Sequence, residues 1–238
     1  MIVASNFKTN FTRKRTKAFV QSVNAFMSAH AIDDVDVRIY APFTALDTFE
    51  TTSSLAVGVQ NFYPVQNGSY TGEIGFEQLE EFEISTLLIG HSERRHILKE
   101  SQTLIAQKYD FAKARNAEIV YCIGEPQEIR MQGIDAVMSY LWEQFENIDV
   151  HYDKLIIAYE PVWAIGTGLT ASIEDIEDVL SRLREKLAKP LLYGGSVKVD
   201  NIASILNVDA CYGVLVGTAS WNEEALCQMI DSAHGVKK

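Results

Sequence analysis

Short runs of three to seven apolar, often β-branched residues recur along the chain, each followed by a longer stretch with apolar positions every three or four residues. The runs predict strands at Ile2–Ser5, Val35–Ala41, Leu55–Gln60, Thr86–Ile89, Ala117–Cys122, Leu155–Tyr159, Leu191–Tyr193 and Val214–Val216. Continuous apolar character, as in Leu-Ile-Ile-Ala-Tyr at 155–159, suits parallel strands covered on both faces. Helical spacing is cleanest over 173–188, where Ile176, Val179, Leu180, Leu183 and Leu187 share a face behind a Ser172-x-x-Asp175 start. Phe19, Val20, Val23, Phe26 and Met27 mark the first helix. Others are predicted near 44–52, 77–82, 101–115, 126–146, 199–206 and 222–234.

Eight β-α units without a linker or low-complexity tract can close into a barrel or remain an open, doubly wound sheet. The open sheet usually shows a G-x-G-x-x-G turn after its first strand, and none occurs here. The expected class is therefore α/β, with residues 1–238 forming one (β/α)8 barrel.

Composition narrows the function. A net charge of −11 argues against a nucleic-acid surface, although backbone dipoles can still hold a small anion in an acidic protein. Cys122, Cys211 and Cys227 form no Cys-x-x-Cys, and the five histidines show no His-x-x-x-His spacing. Disulfides, a structural zinc and a histidine-built metal site are thus not expected, nor is a cofactor. With no long apolar run and no signal-like start, the expectation is a cytoplasmic protein without membrane contact.

Barrel enzymes gather their chemistry on the loops after the strands. Here those loops hold Asn6-Phe7-Lys8, Gly90-His91-Ser92, Glu160 with the segment 161–171, Gly194-Gly195-Ser196 and Gly217-Thr218. A glutamate straight after five apolar residues suits a general base, with desolvation raising its basicity; a rim glutamate paired to a cation is the alternative. His91 reads as a structural hydrogen-bonder or as a catalyst, and a helix starting near Ser92 would keep its imidazole neutral. Lys8 is either a solvated cation or a stabiliser of charge on a substrate oxygen. Gly194, Gly195 and Gly217 allow N–H groups to converge on a phosphate, or simply mark turns. Segment 161–171 is long and apolar at its start, as in a lid that excludes water.

These residues fall in blocks that resemble the triosephosphate isomerase family over essentially the whole chain. The blocks are Asn6-x-Lys8, Gln60-Asn61, 70–74, 90–95, 122–125, 159–168 and 193–197. The resemblance implies a TIM barrel that interconverts dihydroxyacetone phosphate and D-glyceraldehyde 3-phosphate through an enediolate, in glycolysis and gluconeogenesis. It implies Glu160 as base, neutral His91 relaying protons between oxygens, Lys8 supplying positive charge and Asn6 orienting oxygen. Backbone N–H groups of Gly166, Ser196, Gly217 and Thr218 would hold the phosphate. Glu93 would be a buried rim glutamate, and 161–171 a lid. A homodimer is implied, joined through loop 61–75 with Phe62, Tyr63, Tyr70 and Thr71. The chain departs from the family pattern at Phe7, Thr9, Leu169 and Thr218, where tryptophan, methionine, lysine and glycine are common. A sugar-phosphate epimerase barrel and a catalytically silent barrel are the rival readings; scattered histidines oppose the first and Glu160 the second.

Overall fold

The computed structural model describes residues 1–165 and 170–238. Eight parallel strands close into a barrel in chain order: β1 Ile2–Asn6, β2 Asp36–Ala41, β3 Leu55–Val59, β4 Thr86–Ile89, β5 Glu118–Ile123, β6 Leu155–Tyr159, β7 Leu191–Tyr193 and β8 Gly213–Val216. All eight predicted strands are present, their ends moved by a residue at most. The ring closes where β1 pairs with β8, from Ile2↔Gly213 to Ser5↔Val216.

The helices follow the apolar stripes with shorter bounds: α1 Arg13–Ala29, α2 Phe76–Glu80, α3 Gln102–Lys113, α4 Gln127–Arg130, α5 Ile134–Glu143, α6 Ile173–Arg184, α7 Ile202–Leu206 and α8 Glu223–Ala233. The start of α6 forms a full capping box, Ser172 and Asp175 each accepting the other's backbone N–H. Two helix expectations need correction. The stretch 126–146 is two helices, because Gly133 takes φ 96, where a helix cannot continue. The stretch 44–52 is only a 3-10 turn, Phe43–Ala45, followed by irregular chain. There Asp47 caps the Thr48 N–H and binds Arg13, and the threonines around it favour local bonds over a helical ladder.

Side chains alternate across each strand, so every second residue points into the barrel. The interior cluster contains Ile2, Ala4, Tyr40, Leu88, Val120, Cys122, Ile156, Ala158, Leu192 and Leu215. The larger cluster lies between strands and helices and includes the α6 stripe Ile176, Val179, Leu180 and Leu183. Phe7, fully buried, joins it through a stack with Phe11 at 3.9 Å and an edge contact with Phe19 at 5.1 Å. The foot of the barrel interior is polar. Arg38 Nε donates to Glu118 Oε1 at 2.7 Å, Thr86 Oγ1 to the same oxygen at 2.8 Å, and the Tyr40 hydroxyl donates to Thr86 Oγ1 at 3.0 Å. Among the described residues, no helix is long and apolar enough to cross a membrane.

Candidate active site

Inward parity carries chemistry to the top of the barrel. Ile156 and Ala158 point inward, so the next inward residue of that chain is Glu160; Ile2 and Ala4 lead likewise to Asn6. His91 breaks this rule by one residue. Gly90 before it turns the chain at φ 76, and a Cβ there would meet Arg95 Nη2 at 2.7 Å. Arg95 holds that turn by donating to Gly90 O at 2.7 Å and to Cys122 O at 3.1 Å. Asn6, Lys8, His91, Glu160, Gly217 and Thr218 thus line one cavity of about 340 Å³. Ser196, Gly194 and Gly195 complete its wall, and Leu215 is its floor. Gly166 lies outside the described residues, as does Leu169.

Glu160 is buried, with Oε1 3.1 Å from His91 Nε2 and Oε2 accepting the Ser92 N–H at 3.2 Å. Burial pushes its carboxyl up, but the His91 imidazole, the Ser92 N–H and the Cys122 thiol together hold it below the ordinary carboxylate value. Desolvation acts in the expected direction, and the interactions with His91, Ser92 and Cys122 act against it. Glu160's partner is an imidazole rather than the lysine or arginine of the alternative reading.

The His91 tautomer follows from its neighbours. The Glu93 N–H donates to Nδ1 at 3.3 Å, so Nδ1 is a bare acceptor and the ring proton sits on Nε2, facing Glu160. Glu93 Oε2, at 3.6 Å from Nδ1, is too far for a hydrogen bond. The helical turn after Ser92 is π-helical, Glu93–Ile97; its first N–H meets the ring, and those of Arg94 and Arg95 donate to the His91 carbonyl at 2.8 and 3.1 Å.

Lys8 has φ 51, an uncommon conformation for a residue with a side chain. Asn6 Oδ1 accepts its N–H at 2.9 Å and Gln60 Nε2 donates to its carbonyl at 3.0 Å. Its ammonium meets Glu93 Oε1 at 2.7 Å, so it is a held cation rather than a solvated one. Glu93 itself is corrected from buried to partly exposed: its side chain is 38% exposed, holding Lys8 on the wall of a cavity beside the site.

The glycines divide by purpose. Gly194 cannot offer its N–H to a ligand, since it donates to Tyr159 O at 2.8 Å. Its missing side chain instead makes room for the base, a Cβ there falling 2.7 Å from Glu160 Cγ. Gly124, which the sequence reading did not single out, does the same from β5: a Cβ would stand 1.8 Å from Glu160 O. Gly195 clears the Tyr193 ring. Gly217 and Thr218 remain as phosphate candidates, with no internal hydrogen bond on either N–H among the described residues. Ser196 Oγ donates to Ala164 O at 2.7 Å, tying the β7 loop to the start of 161–171.

Two further buried groups lie in the block 122–125, to which the sequence reading gave no role. Cys122 lies beneath Glu160, and burial with that carboxylate beside it pushes its thiol well up, leaving an inert contact. Glu125 is buried with its carboxyl raised by desolvation, and it accepts from Trp163 Nε1 at 2.9 Å and Tyr159 OH at 3.1 Å. Inward parity and strand-end position could have pointed to Cys122. Glu125 is marked only by its place in the block 122–125.

Residues 1–233 match the family model described as Triosephosphate isomerase. Curated relatives are named the same way. The chain is 49% identical over 233 residues to that of a Nitratiruptor species, covering 98% of both chains. It is 47% identical over 238 residues to that of Sulfurimonas denitrificans, covering all of this chain and 98% of the relative. With that of Helicobacter hepaticus it shares 44% identity over 230 residues, 96% of this chain and 97% of the other.

Proposed function

The chain belongs to the triosephosphate isomerase family, and we propose that its reaction, interconversion of dihydroxyacetone phosphate and D-glyceraldehyde 3-phosphate, is carried by the rim cavity with Glu160 as base. The observation supporting this is the convergence of Glu160, His91, Lys8 and Asn6, distant in sequence, on one cavity that also holds the Gly217 and Thr218 amides.

The chemistry then has an order. The N–H groups of Gly217 and Thr218, together with the backbone N–H groups of Ser196 and Gly166, hold the phosphate through main-chain dipoles. A substrate carbonyl takes the Nε2–H of His91, which releases Glu160 from its internal partner. Glu160 removes the proton from the carbon beside that carbonyl and returns it to the neighbouring carbon. Meanwhile His91, neutral at the start and at the end, gives its Nε2 proton to the former carbonyl oxygen and takes back the proton of the neighbouring hydroxyl. The Lys8 ammonium opposes the negative charge of the enediolate, and Asn6 orients the oxygen nearest it. Donors fixed before substrate arrives need little reorganisation, which is where such a site gains most of its rate. Closure of 161–171 over the cavity would keep water from the enediolate.

A coupled assay on glyceraldehyde 3-phosphate, with inorganic phosphate as inhibitor, tests the reading. Turnover inhibited competitively by phosphate is the expected result; absence of turnover in folded protein would reject it.

The same reading makes the chain a cytoplasmic homodimer, working in glycolysis and gluconeogenesis. Loop 61–75 presents Tyr70, 45% exposed, braced on Tyr63 with ring centroids 4.5 Å apart. Beside the site lies a second cavity of about 390 Å³, edged by Ile97 and Leu98, which are 70% and 61% exposed. Large apolar side chains in this position favour burial by a second copy's loop. Sedimentation of Ile97→Asp should show monomers where the parent shows dimers; an unchanged dimer would move the interface elsewhere.

A further inference from the structure

The β1–β8 ladder stops at Ser5↔Val216, one residue short of the groups that matter, Asn6 and Lys8 on one side and Gly217 and Thr218 on the other. Two side-chain bonds continue it. Ser5 and Ser220, both fully buried and 215 positions apart, lie Oγ to Oγ at 2.6 Å. Ser220 has one hydroxyl proton, and its Oγ donates it to Gly217 O at 2.7 Å, with Val216 O a weaker second acceptor at 3.1 Å. Ser5 is therefore the donor in the serine pair. Beyond it, Trp221 Nε1 donates to the Asn6 carbonyl at 3.0 Å.

Ser220 and Trp221 both belong to the 3-10 turn Thr218–Trp221, which presents the Thr218 N–H. Asn6 in turn holds the N–H of Lys8. The two sides come close at Gly217, where a Cβ would stand 3.3 Å from Lys8 Cε and 3.7 Å from Nζ. The spacing between phosphate amides and ammonium is thus set where no ladder hydrogen bond reaches.

We propose that Ser5, Ser220 and Trp221 are positioning residues for the isomerisation, a double clasp that fixes the phosphate turn against the Lys8 strand end. The proposal rests on the phosphate reading given above. None of the three is assigned contact with substrate. Their effect is on a distance, so it falls on ligands that span both sides and spares ligands that occupy one.

The test compares two inhibitors on the full chain carrying Ser5→Ala or Trp221→Phe. Inorganic phosphate reports the amides alone; 2-phosphoglycolate, with a carboxylate two bonds from its phosphate ester oxygen, spans amides and Lys8. Expected is a phosphate inhibition constant within twofold of the parent, while 2-phosphoglycolate weakens tenfold or more and kcat/KM falls alongside. Equal weakening of both inhibitors, or no change in either, would overturn the clasp, since a purely structural role lowers stability without separating the two. Trp221→Phe, at the half-exposed rim, keeps the test open should Ser5→Ala fail to fold. If phosphate does not inhibit the parent at all, the phosphate reading fails first, and that result is distinct from equal weakening.

Discussion

Glu118 and Glu160 are two carboxylates of one barrel interior, both pointing inward, both held below their ordinary value against a desolvation that pushes them up. Glu118 opens β5 at the foot, and Glu160 follows β6 at the top. What separates them is the partner. Glu118 meets Arg38, a guanidinium that stays charged at any working pH, with Thr86 as a second donor. Glu160 meets an imidazole whose proton can be handed to something else, at the wall of a cavity. A buried carboxylate is structural when its partner cannot let go and reactive when it can. The pKa direction alone does not distinguish them.

Substitutions at the two ends should break this symmetry to different degrees. The largest effect is expected from Glu160→Gln, which keeps shape but removes the base. It should lower kcat by roughly 3–5 kcal/mol of barrier, the scale of general-base catalysis, with phosphate inhibition nearly unchanged. Near-parent turnover would move the base elsewhere. Next comes Gly194→Ala, whose Cβ displaces Glu160 without touching its chemistry. A displacement on the order of 1 Å costs up to about 100-fold, so a loss of roughly 10- to 100-fold in kcat is expected. A loss confined to KM would show that the side chain has room to yield.

The smallest effect on turnover belongs to Glu118→Gln, which should stay within about twofold of the parent in kcat/KM while costing about 2–3 kcal/mol of stability. That figure is below the range for a fully buried pair because both side chains keep some solvent. Its pH signature follows from the direction of the shift. A carboxylate lowered from 4.5 by folding contributes stability that is complete above 4.5 and is lost as pH falls through the folded-state value. Melting temperature recorded between about pH 6 and pH 3 should therefore fall less steeply in Glu118→Gln than in the parent. Parallel curves would mean that Arg38 does not lower Glu118 as its geometry indicates.

Much of the site was legible because strand ends are legible. An apolar run of five ending in glutamate marks Glu160 as both anchored and emergent, and the glycine loops mark where backbone comes close to something. What the glycines approach was not legible. Gly194 and Gly217 look alike in sequence, yet one clears the base and the other clears Lys8. The failed helix at 44–52 has a local cause, competition from Asp47 and threonines, that a stripe of apolar positions does not register. Glu93 was expected to be buried and is partly exposed, on the wall of a cavity beside the site, a placement set by the turn's path and by Lys8 rather than by its neighbours in sequence.

The order and period of apolar positions determined eight strands and their burial on both faces, since those patterns are carried by near neighbours, while closure into a barrel rather than an open sheet was favoured by the missing G-x-G-x-x-G turn and decided by the β1–β8 pairing. The same pattern brought the reactive residue types to strand ends. Only the tertiary structure decided which proton sits on which nitrogen of His91, which side of its ordinary value Glu160 lies on, and how Lys8 is held against Gly217. The last two depend on groups dozens to hundreds of positions apart being brought together, and the first on the path of a turn that sets the Glu93 N–H against Nδ1, relations that the apolar pattern does not encode.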